Sequence, residues 1–202
     1  KKDLQGEGSG KLLSLIKKHR LPYQFVPLQK LERITRKNHQ GVVAFLSPIE
    51  FTDIENYLPQ LFEQGINPLI VVLDRVTDVR NFGSVARTAE CAGASMIITP
   101  VKESAQINSD AVKTSSGALT HIPVGRTFDL KKTCMFLTNS GIQLVAATEK
   151  ADKYHTMADY SGPTAIIMGS EFKGISPRIL DISGERVKIP LFGKVESLNI
   201  ST

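Results

Sequence analysis

The sequence has only two cysteines, Cys91 and Cys134, far apart and without a CxxC pair, so neither a disulfide framework nor a cysteine metal cluster is open to it. The four histidines, His19, His39, His121 and His155, show no HxH or HxxxH spacing, and no metal is expected. No apolar run approaches the roughly 20 residues of a membrane helix, and no signal peptide is present, so a cytoplasmic protein without a membrane partner is expected. A GxGxxG followed by an acidic residue is missing, which excludes the dinucleotide-binding Rossmann class. GEGSGK near the start is not a phosphate loop: Gln5 stands where the first glycine is needed, and Leu12 stands where a magnesium-binding Ser or Thr should follow Lys11. Internal repeats are also lacking.

What is present is ordinary in bulk: 202 residues, 41% hydrophobic and 22% charged, enough for a real core in one large domain or in a small domain joined to a medium one. Lys and Arg number 25 against 20 Asp and Glu, a net charge of +5. That excess favours a polyanionic partner such as a nucleic acid. A slightly basic enzyme without such a partner is the alternative on charge alone.

Apolar periodicity predicts helices over 12–19 and 27–36, strands over 23–26 and 42–46, and a helix over 48–64 with Phe51, Ile54, Leu58, Leu61 and Phe62 inward. EQGINP at 63–68 has helix-stop and turn chemistry, which sets a domain boundary there. The remainder alternates strands and helices: strands over 69–73, 96–99, 144–147, 164–168 and 186–189, helices over 83–92, 110–115 and 130–139. Near-continuous apolar strands such as LIVVL (69–73) and this alternation predict an α/β domain built on a parallel sheet. Cys91, in the helical run AECAGA, is expected to be buried packing.

Three segments, each after a predicted strand, do not read as packing material, and ligands gather at the carboxyl ends of strands in such sheets. The first is DRVTDVRNFGSVARTAECAG (74–93), where Asn81 can cap the following helix and Arg87 sits on it among small residues, wanting an anionic partner. The second is MGSEFKGIS (168–176), where Gly169 and Gly174 permit close approach of a ligand and Glu171 is either functional or a solvated loop charge. The third is IPLFGKVESLNIS (189–201), with Ser197 and Asn199 as small hydrogen-bonding residues; alone it also reads as an edge strand.

Together these segments resemble the three ordered motifs of the SpoU (TrmH-like) family of SPOUT RNA 2′-O-ribose methyltransferases. They match as Asn81-Phe82-Gly83 with Arg87-Thr88-Ala89, as Gly169-Ser170-Glu171 with Gly174, and as Ile189-Pro190, Gly193 and Ser197-Leu198-Asn199-Ile200-Ser201. SSGAL and HIPV within 115–124 also look like this family, and the resemblance covers about 69–202. Residues 12–62, with NHQGVVA at 38–44, look like the ribosomal-protein-like RNA-binding domain that precedes the catalytic one. The nearest likeness is to the subgroup that methylates a guanosine ribose in 23S ribosomal RNA. The implied architecture is a small α/β RNA-binding domain at 1–66, incomplete at its start, then a SPOUT domain at 67–202 with a C-terminal trefoil knot, lacking the family's final helix.

The resemblance implies S-adenosyl-L-methionine (AdoMet) as cofactor, RNA (ribosomal RNA foremost) as partner, and a homodimer. Carried over by motif position, Thr148, Met168, Gly169, Ile189, Leu191 and Leu198 frame the cofactor, while Asn81, Arg87, Glu171, Ser197 and Asn199 are the catalytic polar set. A guanidinium stays protonated in proteins, so Arg87 is expected to bind phosphate and stabilise developing negative charge rather than act as a base, with Asn81 and Ser197 orienting it. Lys17, Lys18, Arg20, Arg33, Arg36 and Lys37, with Arg75 and Arg80 beside the pocket, are expected to contact RNA; each also reads as a solvated surface charge. Two other functions stay open: methylation of transfer RNA, and a non-catalytic RNA-binding member of the fold.

Overall fold

The computed structural model describes residues 7–19, 21, 23–45, 47–194 and 197–201, the side chains of 7–9 excepted. The chain forms two compact units, Lys1–Leu46 and Ser47–Thr202.

The first unit holds α1 (Glu7–Lys18) and α2 (Leu28–Ile34). The predicted strands at 23–26 and 42–46 are not strands among the described residues, and Leu46 lies outside them. Val42 is 41% and Phe45 67% exposed, and among the described residues of this unit no partner strand satisfies a ladder. Asn38–Gly41 is a turn built on His39, whose Nδ1 accepts from Gly41 N at 3.0 Å, with Gln40 and Gly41 both at positive φ.

In the second unit, α3 (Ile54–Glu63) starts later than its apolar pattern suggested, because the Asp53 carboxylate accepts from Asn56 N and caps it there. Ile54, Leu58 and Leu61 enter the main core, while Phe51 and Phe62 stay partly exposed. Just before the helix, Thr52 N donates to Val124 O, and the Arg126 guanidinium lies 4.8 Å from the centroid of the Phe51 ring. These contacts place α3 in the larger compact unit, which begins at Ser47, and the helix buries its apolar face in that unit's core.

Among the described residues seven strands follow: β1 (Leu69–Asp74), β2 (Met96–Pro100), β3 (Val124–Thr127), β4 (Gln143–Ala147), β5 (Lys153–Tyr154), β6 (Thr164–Gly169) and β7 (Glu185–Lys188). They form one parallel sheet in the order β3-β2-β1-β6-β4-β7-β5. Strand alternation feeds two cores: Ile70 and Val72 meet α3 and α6 (Leu130–Asn139) on one face, and Val71 and Leu73 meet α4 (Val79–Cys91) and α5 (Ser109–Thr114) on the other. A short α7 (Pro177–Leu180) precedes β7. Cys134, fully buried on α6, has its thiol pushed up to about 12, chiefly by burial and further by the charge of Asp74. Cys91 is exposed, not buried: α4 turns Phe82, Val85, Ala86 and Ala89 inward, and position 91 falls on the opposite side.

Candidate active site

The carboxyl ends of four neighbouring strands line up. Leu73 pairs with Met168, Met168 with Ala147, and Ala147 with Val187, so the next residues on each strand form one rim. All three sequence motifs leave from that rim.

α4 begins four residues earlier than predicted. Asp78, not Asn81, is its cap, accepting from Arg80 N and Asn81 N at 2.8 Å each. That frees the Asn81 side chain. Gly83 is needed for a different contact: a Cβ there would lie 2.7 Å from Ala111 O and 2.9 Å from Thr114 Cβ, so the glycine lets α4 and α5 touch.

The second motif is a closed loop. Gly174 N donates to Ser170 O at 2.8 Å and Lys173 N to Ser170 Oγ at 3.1 Å. A Cβ on Gly169 would sit 2.0 Å from Gly174 C, so that glycine lets the loop close on itself. Gly174 itself takes the left-handed conformation, φ +60°.

Among its described residues the third motif is irregular, not an edge strand. Its Asn199 joins the other two. The amide nitrogen donates to Asn81 Oδ1 at 3.3 Å and to Glu171 Oε1 at 3.0 Å, and its Oδ1 accepts from Ser201 N at 2.9 Å and Ser201 Oγ at 2.7 Å. Both amide hydrogens and both lone pairs are thereby used. Thr88 Oγ1 adds a bond to Ser201 O at 3.3 Å. Thr88 and Ser201 carried no separate expectation; seven-residue spacing from Asn81 puts Thr88 on the same helix face.

Arg87 stands outside this cluster. It is exposed and, among the described residues, bonded to neither Asn81 nor Ser197. It lies six helical positions beyond Asn81, which turns it about 120° away around the helix, so the expected orienting contacts do not form within this chain. Ser197 is exposed too. Arg75, expected on the RNA-facing rim, turns inward and donates from Nη2 to Lys173 O and Gly174 O. Arg80 is exposed and lines a cleft of about 520 Å³ between the start of α4 and α5, with Asp110, Lys113 and Thr114. None of the residues expected to frame a cofactor lines that cleft.

Of those residues, Thr148, Met168, Gly169 and Ile189 lie at or just past the aligned strand ends. Thr148 is buried, Met168 and Gly169 half-buried, and the aliphatic side chains of Ile189, Leu191 and Leu198 are 48%, 40% and 44% exposed. Apolar surface left open beside strand ends fits an adenine-bearing cofactor held largely by backbone groups. Two phenylalanines on the same loops, Phe172 and Phe192, are 97% and 94% exposed. In the first unit Lys17, Lys18, Arg33, Arg36 and Lys37 are exposed, while Arg20 lies outside the described residues. Among the described residues no three His, Cys, Asp or Glu converge as metal ligands, and no helix is long and apolar enough to cross a membrane.

Comparison with known proteins gives the same picture. Residues 68–202 match the SpoU rRNA Methylase family, and residues 1–52 match RNA 2′-O ribose methyltransferase substrate binding, so α3 lies between the two matched regions. YacO of Bacillus subtilis strain 168, named for the TrmH family of tRNA/rRNA methyltransferases, is 33% identical over 190 residues, 94% of this chain and 76% of YacO. The SpoU methyltransferase AviRb of Streptomyces viridochromogenes, solved with AdoMet, is similar with a TM-score of 0.63 at 28% identity, over 67% of this chain and 55% of AviRb. The AdoMet-bound rRNA methyltransferase of Sinorhizobium meliloti gives 0.62 at 30% identity, over 66% of this chain and 51% of that one. This chain thus spans about half the length of those two enzymes. Two family matches in chain order, over a sheet whose rim carries all three motifs, make this chain a member of the SpoU rRNA methylase family.

Proposed function

We propose that the chain methylates a ribose 2′-oxygen of RNA using AdoMet, with a guanosine of large-subunit ribosomal RNA as the target. The observation that carries this reading is the convergence on Asn199, where one amide ties together residues from all three motifs. AdoMet supplies an electrophilic methyl group on a sulfonium. Thr148, Met168, Gly169, Ile189, Leu191 and Leu198 would hold it at the rim. The Asn81–Asn199–Glu171 cluster fixes the three loops relative to one another, so the cofactor side and the RNA side of the site keep one geometry.

Arg87 would bind the phosphate beside the target ribose and, as the 2′-hydroxyl proton passes to solvent and the sulfonium leaves as a neutral thioether, stabilise the negative charge on the attacking oxygen. Its exposure and freedom from the cluster leave its five donors for RNA. Phe172 and Phe192 offer open ring faces on which an unstacked base can lie. Lys17, Lys18, Arg33, Arg36 and Lys37 of the first unit, and Arg80 of the second, supply phosphate contacts. The same reading includes a homodimer, a knotted chain in the catalytic unit and action in the cytoplasm.

Incubation with methyl-labelled AdoMet and separate transcripts of ribosomal and transfer RNA tests it, with the product mapped by resistance of the modified linkage to alkaline hydrolysis. Label in a single ribosomal guanosine is expected. Label in transfer RNA would establish the alternative substrate, and label on a base would end the 2′-oxygen reading. Binding of RNA without any transfer would indicate a non-catalytic member.

A further inference from the structure

We propose that Arg75 is a positioning residue of this site: its guanidinium clamps the loop at 169–176 shut, and so holds Glu171 in reach of Asn199. The inference rests on the AdoMet reading above. Arg75 follows β1 with φ +62°, a conformation that favours glycine and that only three other non-glycine described residues adopt, Gln40, Glu103 and Ser116. A long side chain held there must return something for the strain. What it returns is a pair of hydrogen bonds: Nη2 donates to Gly174 O at 3.0 Å and Lys173 O at 3.3 Å.

The residue before it works on the same loop. Asp74 is buried, and its Oδ2 accepts from Ser176 N at 2.6 Å. Arg75 Nε, also buried, lies 3.9 Å from that carboxylate and makes no hydrogen bond. Two consecutive residues at the end of β1 therefore grip backbone groups at 173, 174 and 176, across 98 to 102 residues of chain. The loop's other limb runs from Gly169, whose missing Cβ lets it lie against Gly174 and Ile175. Glu171 is at the tip, and its Oε1 accepts from Asn199. With the clamp released, the loop's closing limb would keep only the Asp74 bond and its internal bonds to Ser170.

Arg75→Gly is the clean variant, because glycine keeps the positive φ without strain while removing the guanidinium. Two charge-assisted hydrogen bonds are at stake, so on the order of tenfold is expected in each readout. Hydrogen exchange of the amides at 170–176 should speed up by that factor, with the rest of the sheet unchanged. The dissociation constant for AdoMet, measured by calorimetry, should rise by a similar factor. Arg75→Lys should recover part of both, since one ammonium can still reach one carbonyl. Unchanged exchange in the loop overturns the clamp. Faster exchange with unaltered AdoMet affinity overturns the positioning role. If the unaltered chain binds no AdoMet, the cofactor reading and the positioning role fall together, and loop exchange alone still decides the clamp.

Discussion

Replacing Gly169 by alanine adds one methyl group where the backbone leaves no room. The new Cβ would meet Gly174 C at 2.0 Å, Ile175 N at 2.2 Å and Gly174 O at 2.3 Å. Ordinary contacts begin at 3.4 Å, so the deficit is 3.4 minus 2.0, or 1.4 Å, and it falls on main chain that no rotamer change can move aside. Gly169 is not among the residues with positive φ, so the cost is steric and not conformational. Overpacking of this kind costs about 1–3 kcal/mol, which for a chain of this size lowers the melting midpoint by roughly 4–8 °C for a 2 kcal/mol loss. Gly193→Ala is the control, since nothing lies within 4 Å of its Cβ position. Thermal denaturation and AdoMet calorimetry on both variants read the outcome. Gly169→Ala should melt early and bind AdoMet weakly, and Gly193→Ala should match the parent in stability. A Gly169→Ala protein with parental melting and affinity would refute the reasoning, because it would mean the loop shifts by more than an ångström at no cost.

Asn199→Asp should abolish the cluster, because the new carboxylate has no hydrogens for Asn81 Oδ1 and faces Glu171 Oε1 across 3.0 Å. A loss of about 2–4 kcal/mol in kcat/KM is expected from the steady-state methyl-transfer rate; a loss under threefold would show that the amide is not what joins the loops. Arg87→Ala should lower transfer at least a hundredfold, about 3 kcal/mol, while leaving AdoMet binding intact, and Arg87→Lys should stay well below the parent because an ammonium lacks the planar fork. Full turnover by the lysine variant would remove the fork from the mechanism. With thiol reagent at pH 8 the folded chain should expose one reactive cysteine, Cys91, and denaturant should release the second, because Cys134 stays protonated up to about 12. The same thiol makes the fold lose stability as pH rises above about 9, where the unfolded chain ionises and the folded one does not.

The fold was most legible where a segment's own chemistry agreed with its surroundings. Leu130–Asn139 is a helix over the residues its pattern marks, and LIVVL is a central strand because both of its faces are covered. It was least legible where two local signals competed. Asp78 and Asn81 are both capping residues, and the aspartate, placed earlier, took the helix start. The apolar run at 42–45 has strand composition but, among the described residues, finds no partner strand. β3 escaped notice because Gly125 and Arg126 break its apolar run, although the sheet edge accommodates both.

At the site, motif spacing singled out Asn81, Glu171 and Asn199, and these three meet. It did not show that Asp78 would cap α4 in place of Asn81, or that Gly169 lies against Gly174 and Ile175, since both depend on which atoms lie opposite in space. Asp74 and Arg75 were missed as a pair gripping the loop because they bond to main-chain groups. Backbone acceptors leave no mark in a sequence.

The position of β1 has a consequence for the life of the chain during synthesis. One of its two neighbours is β6, with Leu69 beside Thr164 and Asp74 beside Gly169. Until the ribosome has released that later segment, one flank of the apolar ribbon LIVVL has unpaired amides and carbonyls. Topologies dominated by such distant pairings fold slowly, so nascent chains stalled anywhere between residues 75 and 163 would carry an open, sticky sheet flank, the state in which a chaperone has most to do.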